Sequence, residues 1–439
     1  MNLNRTFPLL FVISVLVSFS VRAELSIQIT QGIDNPIPIA VVPFSWEGSG
    51  VLDEDIGEIV TADLQQVGEF RALSPSNMLA LPREEREVYY RDWSVLAQDY
   101  LLVGKVQRTP GSELIQVQYE FFDINREIKL AGEVLTGTTS QLRDIGHEIS
   151  NVVFELVTGT PGAFTTQILY IVSEFVSPEV SYFRLEKAGY DGRRAQVLLE
   201  SREPIMSPSW SPNGQDIAYV SFETDLPRIY TQNIATGQRR QITNFPNINS
   251  SPVWSPDGTK LAMVLSKDGS PDIYVQDLLS NELIRITDHP AIDTEPAWSR
   301  DGRSLVFMSD RTGQPQIYQM EIGASTYDVE RLTYDCFHCA KGQFLPDGVN
   351  LVHVRRETRQ SPEYQISIMN VETLRVITLT STKFDESPSV APNGSMIMYA
   401  TKFNGRGVLD AVSIDGRVKF RLPSSRGDVR EPAWSPFLN

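Results

Sequence analysis

The chain repeats one short motif, which reads SPSWSPNG at residues 207–214, SPVWSPDG at 251–258 and EPAWSRDG at 295–302. Weaker copies read GQFLPDG at 342–348, SPSVAPNG at 387–394 and EPAWSP at 431–436. The tryptophan position of the six copies falls at 210, 254, 298, 344, 390 and 434, so neighbouring copies are 44 or 46 residues apart. A regular period of roughly 40–50 residues is typical of propellers and other repeat folds.

Short strand-like segments follow each of the first five copies. An alternating apolar segment comes first, at 217–221, 261–265, 305–309, 351–354 and 397–400. An Ile-Tyr pair comes next, at 229–230, 273–274 and 317–318, and Ile-Thr or Leu-Thr ends the period at 242–243, 286–287, 332–333 and 379–380. With the motif itself these segments make four short strands, the content of one propeller blade. The Pro-Asp-Gly of the motif suits the tight turn between the first two strands.

The two ends of the repeat array predict a closed ring. Residues 168–173, 182–185 and 196–199 resemble the later three strands of a blade that lacks its motif-bearing strand. Residues 431–436 carry a motif with no strands after it. Joining these parts gives six blades and removes the exposed sheet edges that an open array would leave.

A different pattern occupies residues 24–160. Strands are predicted at 25–29 and 38–44, a helix at 53–67, a helix within 84–97, strands at 100–107, 113–122 and 127–135, and a helix at 140–157. Glycine and proline at 158–162 end the last helix and mark a domain boundary. The predicted fold is therefore an α/β N-terminal domain (24–160) plus an all-β six-bladed propeller (161–439) closed by the C-terminal strand.

The first 23 residues have the pattern of a secretory signal peptide. Arg5 supplies the positive flank, residues 9–19 the apolar run, and Val21-Arg22-Ala23 a small-x-small cleavage site. The alternative is a membrane anchor, for which the run is short. With cleavage after Ala23, no cysteine stands at the new N-terminus to carry a lipid. The sequence therefore predicts an exported protein whose mature form is soluble.

Charge and composition exclude some classes of protein. The chain has 439 residues, 39 Lys and Arg against 55 Asp and Glu, and a net charge of −16. Such an acidic chain repels phosphate backbones, so no nucleic-acid partner is expected. At 41% hydrophobic and 21% charged, it has the composition of a folded globular protein.

Cys336 and Cys339 are the only cysteines. In an oxidising compartment a local structural disulfide is the favoured interpretation. A thioredoxin-like site needs a strand before and a helix after the pair, and a metal site needs more ligands than His338 and His353 supply. A haem attachment needs His directly after the second cysteine, where Ala340 stands.

The sequence does not carry the motifs of a propeller-linked hydrolase. No Gly-x-Ser-x-Gly elbow or phosphate-binding loop occurs, and the four histidines are scattered at 147, 289, 338 and 353. Asp257, Asp301 and Asp347 are explained by turn geometry. No catalytic residue, metal ligand or cofactor is therefore assigned. A calcium ion in an acidic channel is one alternative, with oxygens from Glu295, Asp385, Glu386 and Glu431.

The order of these parts resembles the TolB family, the periplasmic components of the Tol-Pal system of Gram-negative bacteria. The resemblance covers essentially the whole mature chain and includes IAVVPF at 39–44 and PAWSP at 432–436. The repeat alone is less specific, because similar blades occur beside prolyl-oligopeptidase-type hydrolase domains and in tricorn-like proteins. The signal peptide and the domain order make the resemblance specific.

The resemblance implies a non-enzymatic, monomeric periplasmic adaptor that supports outer-membrane integrity and envelope constriction at cell division. It implies that the lipoprotein Pal binds at the propeller mouth, through the loops before each first strand. Carried over by motif, the Pal-binding residues are Ile248, Ser251, Thr294, Glu295, Asp385, Glu386, Arg430 and Glu431. Ile248 departs from the family, since many relatives have a histidine there. The alternative is a propeller enzyme or saccharide-binding protein that uses the central channel.

The resemblance also implies that TolA binds the first residues of the mature chain. The residues concerned are Glu24, Leu25, Ser26, Ile27, Gln28, Ile29 and Asp34. An extended segment of this kind suits strand addition to a partner's sheet edge, and the alternative is an ordinary edge strand of its own domain. If docking of the segment depends on Pal, the two partners are thermodynamically linked.

Overall fold

A computed structural model of the protein describes residues 27–29, 35–177, 180–323, 328–423 and 427–438. The predicted signal peptide lies outside these residues. None of the helices in the described ranges has the length and apolarity needed to cross a bilayer.

The N-terminal part is a mixed sheet with helices on both faces. Its strands are β2 (Ile37–Val41), β3 (Ser45–Glu47), β4 (Phe70–Ala72), β5 (Tyr100–Arg108), β6 (Ile115–Asp123) and β7 (Ile128–Gly137), in the order β4-β2-β5-β6-β7 with β3 beside β5. Its helices are α1 (Ile56–Gln66), α2 (Tyr90–Val95) and α3 (Leu142–Thr158), with 3-10 turns at Pro75–Asn77, Glu85–Glu87 and Thr139–Gln141. Helices α1 and α3 pack on one face of the sheet, and Trp93 of α2 packs on the other.

Local signals explain where these helices begin and end. The Asp55 carboxylate accepts a hydrogen bond from the Glu58 N–H and caps α1. Helix α3 buries Leu142, Ile145, Ile149 and Val153 along one face and ends at Gly159, whose φ of 74° is left-handed.

The remainder of the chain forms six four-stranded blades. Blade 1 comprises β8 (Gln167–Ser177), β9 (Val180–Gly189), β10 (Gln196–Ser201) and β31 (Asp428–Trp434). Blade 2 comprises β11 (Ile205–Trp210), β12 (Asp216–Ser221), β13 (Arg228–Asn233) and β14 (Arg239–Gln241). Blade 3 comprises β15 (Asn249–Trp254), β16 (Lys260–Leu265), β17 (Asp272–Asp277) and β18 (Leu283–Arg285). All their pairings are antiparallel.

Blades 4 to 6 repeat this arrangement. Blade 4 comprises β19 (Asp293–Trp298), β20 (Ser304–Ser309), β21 (Gln316–Glu321) and β22 (Glu330–Arg331). Blade 5 comprises β23 (His338–Phe344), β24 (Asn350–Arg356), β25 (Gln365–Asn370) and β26 (Val376–Thr378). Blade 6 comprises β27 (Glu386–Val390), β28 (Met396–Phe403), β29 (Arg406–Ser413) and β30 (Val418–Arg421). Apolar side chains from facing blades form the cores between them.

The predicted ring closure is confirmed, because β31 pairs with β8 and supplies the inner strand of blade 1. The Ser435 hydroxyl accepts a hydrogen bond from the Gln167 N–H at 3.0 Å, and the Trp434 indole donates to the Thr166 hydroxyl at 2.7 Å. These bonds join residues 268 positions apart. The predicted fold class, an α/β part plus a six-bladed propeller, is therefore confirmed.

Strand β1 (Ile27–Ile29) lies in a place that the sequence reading did not predict. It pairs antiparallel with β30, with Ile27 opposite Phe420 and Ile29 opposite Val418. It is thus a fifth strand on the outer edge of blade 6 and not a strand of the α/β sheet, as its position in the sequence suggested. Three residues carry no hydrophobic pattern long enough to reveal a partner so distant in the chain.

Candidate functional site

Every inner strand of the propeller contains one residue with a left-handed backbone. These residues, here called the channel ring, are Ser207, Ser251, Glu295, Lys341, Ser387 and Glu431, with φ of 51°, 50°, 56°, 55°, 52° and 52°. At the same point the pairing between the first and second strands shifts register, which is a β-bulge. Left-handed φ is strained for residues with a Cβ, so its recurrence in all six blades marks a built feature.

The channel ring lines a central cavity of about 420 Å³. Lys341 is the one cation of the ring, and its ammonium lies 3.3 Å from a Glu295 carboxylate oxygen. The other Glu295 oxygen accepts a hydrogen bond from the Lys341 N–H at 2.9 Å. Glu295 chiefly, with Glu431 and Glu386, raises the pKa of Lys341 against the effect of burial. Lys341 therefore partly neutralises the negative charge of Glu295 and Glu431 in the channel ring.

The structure bears on the calcium alternative in two ways. Lys341 already engages Glu295, one of the carboxylates proposed as a ligand. Within the described ranges, no group of three or more His, Cys, Asp or Glu side chains is placed to hold a metal ion. The calcium alternative stays a prediction.

Three residues before each ring position, a second set of side chains surrounds the entrance to the channel. This mouth ring consists of Pro204, Ile248, Ile292, His338, Phe384 and Asp428. Ile248, Ile292 and Phe384 are 41%, 45% and 49% exposed. The His338 ring packs edge-on against Tyr364, with centroids 5.4 Å apart. Blades 3 to 6 thus present a largely apolar arc, and contiguous exposed apolar surface commonly marks a protein-binding site.

The residues between the two rings are alternately buried and accessible. Thr294 is partly exposed, and Glu386 and Arg430 are exposed. Together with Ile248 of the mouth ring and with Ser251, Glu295 and Glu431 of the channel ring, they lie at one end of the propeller. The structure therefore brings seven of the eight residues expected to contact Pal to the same entrance.

Asp385 is the exception, because its side chain is completely buried. Its carboxylate accepts a hydrogen bond from the Thr382 hydroxyl. The same position holds Asn249 in blade 3 and Asp293 in blade 4, which are also fully buried. Asn249 donates to the Phe245 carbonyl at 2.9 Å. Asp385 braces the loop before β27 in the unbound protein, and its part in binding Pal stays a prediction.

Several residues at the mouth were missed by the sequence reading. Lys341, Ile292, His338 and Phe384 occupy ring positions, but the sequence pattern did not assign them to the mouth. Counting back from the tryptophan position of each repeat would have found them, since the spacing within the inner strand is the same in all six blades. The fourth copy has Lys341-Gly342 where the first three copies have Ser-Pro or Glu-Pro, so the alignment of Lys341 with the other ring positions is harder to see.

Contacts with the α/β part lie at the opposite end of the blades. The Tyr190 hydroxyl, in the β9–β10 turn, donates to Asp63 of α1 at 2.6 Å. The Asn393 side chain, in the β27–β28 turn, donates to the Pro161 carbonyl at 3.0 Å. Both turns are at the end of the blades where the inner strands finish. The described α/β residues thus anchor the propeller from behind and leave the mouth facing away.

Of the segment expected to bind TolA, the structure describes Ile27, Gln28 and Ile29, and only as the backbone of β1. Glu24, Leu25, Ser26 and Asp34 lie outside the described residues. Strand β1 occupies the outer edge of blade 6 by backbone pairing. The segment is therefore engaged in strand addition with its own propeller.

Cys336 and Cys339 are joined by a disulfide, with Cα atoms 6.1 Å apart. The bond closes the loop that enters blade 5, and Cys339 lies in the core between blades 4 and 5. The disulfide thus lies beside His338 of the mouth ring.

Comparison with known proteins gives one consistent family. Residues 25–130 match the family described as TolB amino-terminal domain, and residues 154–438 match the TolB beta propeller domain. The Tol-Pal system protein TolB of Pseudomonas syringae pv. syringae is 50% identical over 418 residues, covering 95% of both chains. That of Pseudomonas aeruginosa is 50% identical over 430 residues, covering 98% of both. The crystal structure of TolB from Acinetobacter baumannii superposes with a TM-score of 0.85 at 36% identity, over 94% of this chain and all of that one.

Proposed function

Because the chain belongs to the TolB family, we propose that it is a non-enzymatic, periplasmic adaptor of the Tol-Pal envelope system. In this proposal the propeller mouth binds Pal and the N-terminal segment binds TolA. Linking an outer-membrane lipoprotein to an inner-membrane protein supports outer-membrane integrity and envelope constriction at cell division.

The apolar arc of the mouth ring is the observation that carries this proposal. Ile248, Ile292 and Phe384 expose their side chains at the end of the propeller that faces away from the α/β part. The channel ring behind them supplies charged and hydroxyl groups for orienting a partner. An apolar surface with a few polar groups at its centre and rim suits a protein partner of moderate interface size.

Replacing Ile248 with glutamate tests the Pal contact. A charge in the apolar arc leaves a buried carboxylate without a partner in the complex, so we expect Pal affinity to fall about tenfold or more. Isothermal titration calorimetry with purified Pal measures the change. Thr294→Ala should weaken Pal binding by less, because it removes only one polar contact.

The matched control is Leu279→Glu. Leu279 is 93% exposed in the β17–β18 turn, at the opposite end of the same blade. The control should bind Pal as the unmodified protein does. Equal affinity of the Ile248→Glu and Leu279→Glu proteins would place the Pal site elsewhere.

The backbone pairing of β1 supports the TolA part of the proposal. A segment able to add as a strand to blade 6 has the extended conformation that strand addition to TolA requires. The described pairing of β1 with β30 spans three residues, and a contact of that size allows release from β30. TolA then competes with blade 6 for the same backbone groups.

Gln28→Pro tests this strand-addition proposal. Proline removes a backbone donor and is poorly tolerated within a paired strand, so TolA affinity should fall about tenfold or more. Gln28→Thr is the matched control, because it keeps the donor and favours extended structure. Fluorescence anisotropy with labelled TolA measures both variants, and unchanged binding by the proline variant would rule out backbone pairing.

Docking of β1 on the propeller also provides a way to couple the two partners. If Pal binding changes the affinity of blade 6 for β1, Pal must change TolA affinity, and TolA must change Pal affinity by the same factor. Titrating TolA with and without saturating Pal measures that factor. Equal TolA affinity in the two titrations would show that Pal binding and TolA binding are not coupled.

A further inference from the structure

A second cavity lies between blades 4 and 5, away from the channel. Its volume is about 250 Å³. The disulfide Cys336–Cys339 forms one wall, and Leu332, Met369 and Val376 supply most of the apolar lining. Cys339 and His353, each 1% exposed, lie at the buried end of the cavity, whereas Tyr334, which is 57% exposed, lies at its rim. The cavity is therefore deep, mainly apolar and reachable from solvent.

Comparison of the six blades explains why there is space here. One cross-strand pair between the second and third strands points into each blade interface. It is Tyr170–Glu186, Tyr219–Tyr230, Met263–Tyr274, Phe307–Tyr318, His353–Ser367 and Tyr399–Asp410 in blades 1 to 6. Blade 5 is the one in which neither member is a large aromatic or methionine side chain. Cross-strand partners share a face of the sheet, so the smaller His353–Ser367 pair leaves more space between blades 4 and 5 than the pairs of the other blades leave at their interfaces.

Two buried nitrogen atoms of residues that line the cavity have no hydrogen bond of good geometry among the described residues. They are Nδ1 of His353 and Nε of Arg355, which lie two residues apart on one face of β24. Burial lowers the pKa of His353 to about 4, so the imidazole is neutral. Buried nitrogens of this kind normally have partners, and leaving them unpaired is costly.

Arg355 gives the cavity its charge. Its terminal Nη2 donates to the Asp335 carbonyl at 2.5 Å, and within the described ranges no carboxylate pairs with it. Asp335 also lines the cavity. A guanidinium that forms no ion pair with it favours an anionic ligand beside the apolar lining. A carboxylate in the cavity can accept hydrogen bonds from the Arg355 guanidinium and from a ring N–H of the neutral His353 imidazole.

We propose that this cavity binds a small aromatic carboxylate, with its ring against Leu332, Met369 and Val376 and its carboxylate on Arg355 and His353. The size fits one ring with a short side chain, since a cavity of about 150 Å³ holds a benzene molecule. The ring replaces the aromatic side chain that blade 5 lacks. The site is distinct from the mouth and does not depend on the Pal or TolA contacts.

Saturation-transfer NMR with phenylacetate tests the proposal on the full chain. We expect saturable binding that weakens about tenfold or more in Arg355→Gln, because hydrogen bonds from a charged donor are strong. His353→Tyr installs the residue found at the equivalent position of blades 1, 2 and 6 and should fill the cavity and abolish binding. Arg359→Gln is the matched control, an exposed arginine outside the cavity with the same change of charge.

Phenylacetamide, the neutral analogue, separates recognition of the carboxylate from recognition of the ring and should bind at least about tenfold more weakly. Three results would overturn the proposal: no saturable phenylacetate signal, equal binding by the Arg355→Gln and Arg359→Gln proteins, or equal binding of the acid and the amide. Circular dichroism of each variant establishes that it is folded. If His353→Tyr fails to fold, the Arg355→Gln comparison and the acid–amide comparison still decide the question.

Discussion

Asp293 and Asn249 occupy the same buried position in neighbouring blades but satisfy their polar atoms differently. Asn249 donates to the carbonyls of Phe245 and Asn247 within its own loop. Asp293 instead pairs with Arg311, whose Nη2 lies 3.1 Å and 2.9 Å from the two carboxylate oxygens. Both solutions hold the loop that leads into the mouth.

Replacing Arg311 with alanine should therefore destabilise the protein by about 3–5 kcal/mol, because it leaves a buried carboxylate without its counter-ion. Urea unfolding measures the loss. Adding Asp293→Asn should recover part of the stability, since the asparagine at position 249 shows that a neutral amide fits this place. A double variant no more stable than Arg311→Ala alone would contradict this account.

The complete burial of Asp385 also belongs to the residue scale. Side chains alternate between faces along a regular strand, so sequence position usually gives their direction. The bulge at the channel ring interrupts that alternation between Glu386 and Ser389. Ile248 and Glu295 could be assigned to the mouth from the repeat, but the inward orientation of Asp385 could not be read without the bulge.

The motif turn is the element that the sequence described most completely. In blade 3, Asp257 accepts a hydrogen bond from the Ser255 hydroxyl at 2.6 Å and from the Thr259 N–H at 3.0 Å. Asn213 accepts both equivalent bonds in blade 2, and Asn393 accepts the backbone N–H bond in blade 6. The turn residues act through local bonds, which is why a motif of eight residues was enough to predict the turn and its strands.

Asp257→Ala should cost about 1 kcal/mol at neutral pH through the lost turn bonds, whereas Asp257→Asn should be nearly neutral. The Ser255 hydroxyl, then the Thr259 N–H, lowers the pKa of Asp257 to about 2. The carboxylate thus contributes stability above its ordinary pKa of 3.8, and that contribution is lost as the pH falls towards 2. Urea unfolding across this range measures it. If the alanine variant were as stable as the asparagine variant at neutral pH, the hydrogen bonds of Asp257 would contribute nothing to the free energy of unfolding.

At the scale of the whole molecule, a buried polar network joins the α/β part to blade 1. His147 of α3 lies 2.8 Å from Asp63 of α1, and its other ring nitrogen lies 3.7 Å from Asp191 in the β9–β10 turn. Arg143 forms an ion pair with Asp191 at 2.6 Å, and Tyr190 donates to Asp63. Ser150 also donates to Asp63, so the serine and the histidine share an acceptor and do not form a nucleophile–base pair.

Removing His147 from this network, as His147→Leu, should cost about 3 kcal/mol or more by leaving buried carboxylates less well paired. Burial opposes protonation of His147, but Asp63 and then Asp191 raise its pKa above 6.5. Its contribution to stability is therefore full below that ordinary value and is lost as the pH rises through the raised pKa. The difference between the two proteins in urea unfolding should shrink as the pH rises above 6.5, the ordinary pKa of histidine. A constant difference would show that the imidazole acts by packing alone.

The architecture of the whole molecule was predictable because it rests on repetition. Six motif copies fixed the number of blades, and the unmatched strands at 168–199 and 431–436 implied ring closure. The docking of β1 on blade 6 and the joint between Asp63, His147 and Tyr190 were not predictable. Both depend on how distant segments are placed in space, for which a single sequence carries no periodic signal.

The pairing of β31 with β8 has a consequence for how the protein is made. Blade 1 begins near residue 167, but its inner strand arrives after all the other blades have been synthesised. Until then the emerging polypeptide carries an unpaired edge on β8, which is open to proteases and to aggregation. A nonsense mutation ahead of residue 428 thus removes only a short piece of chain but leaves every copy of the product with that edge exposed.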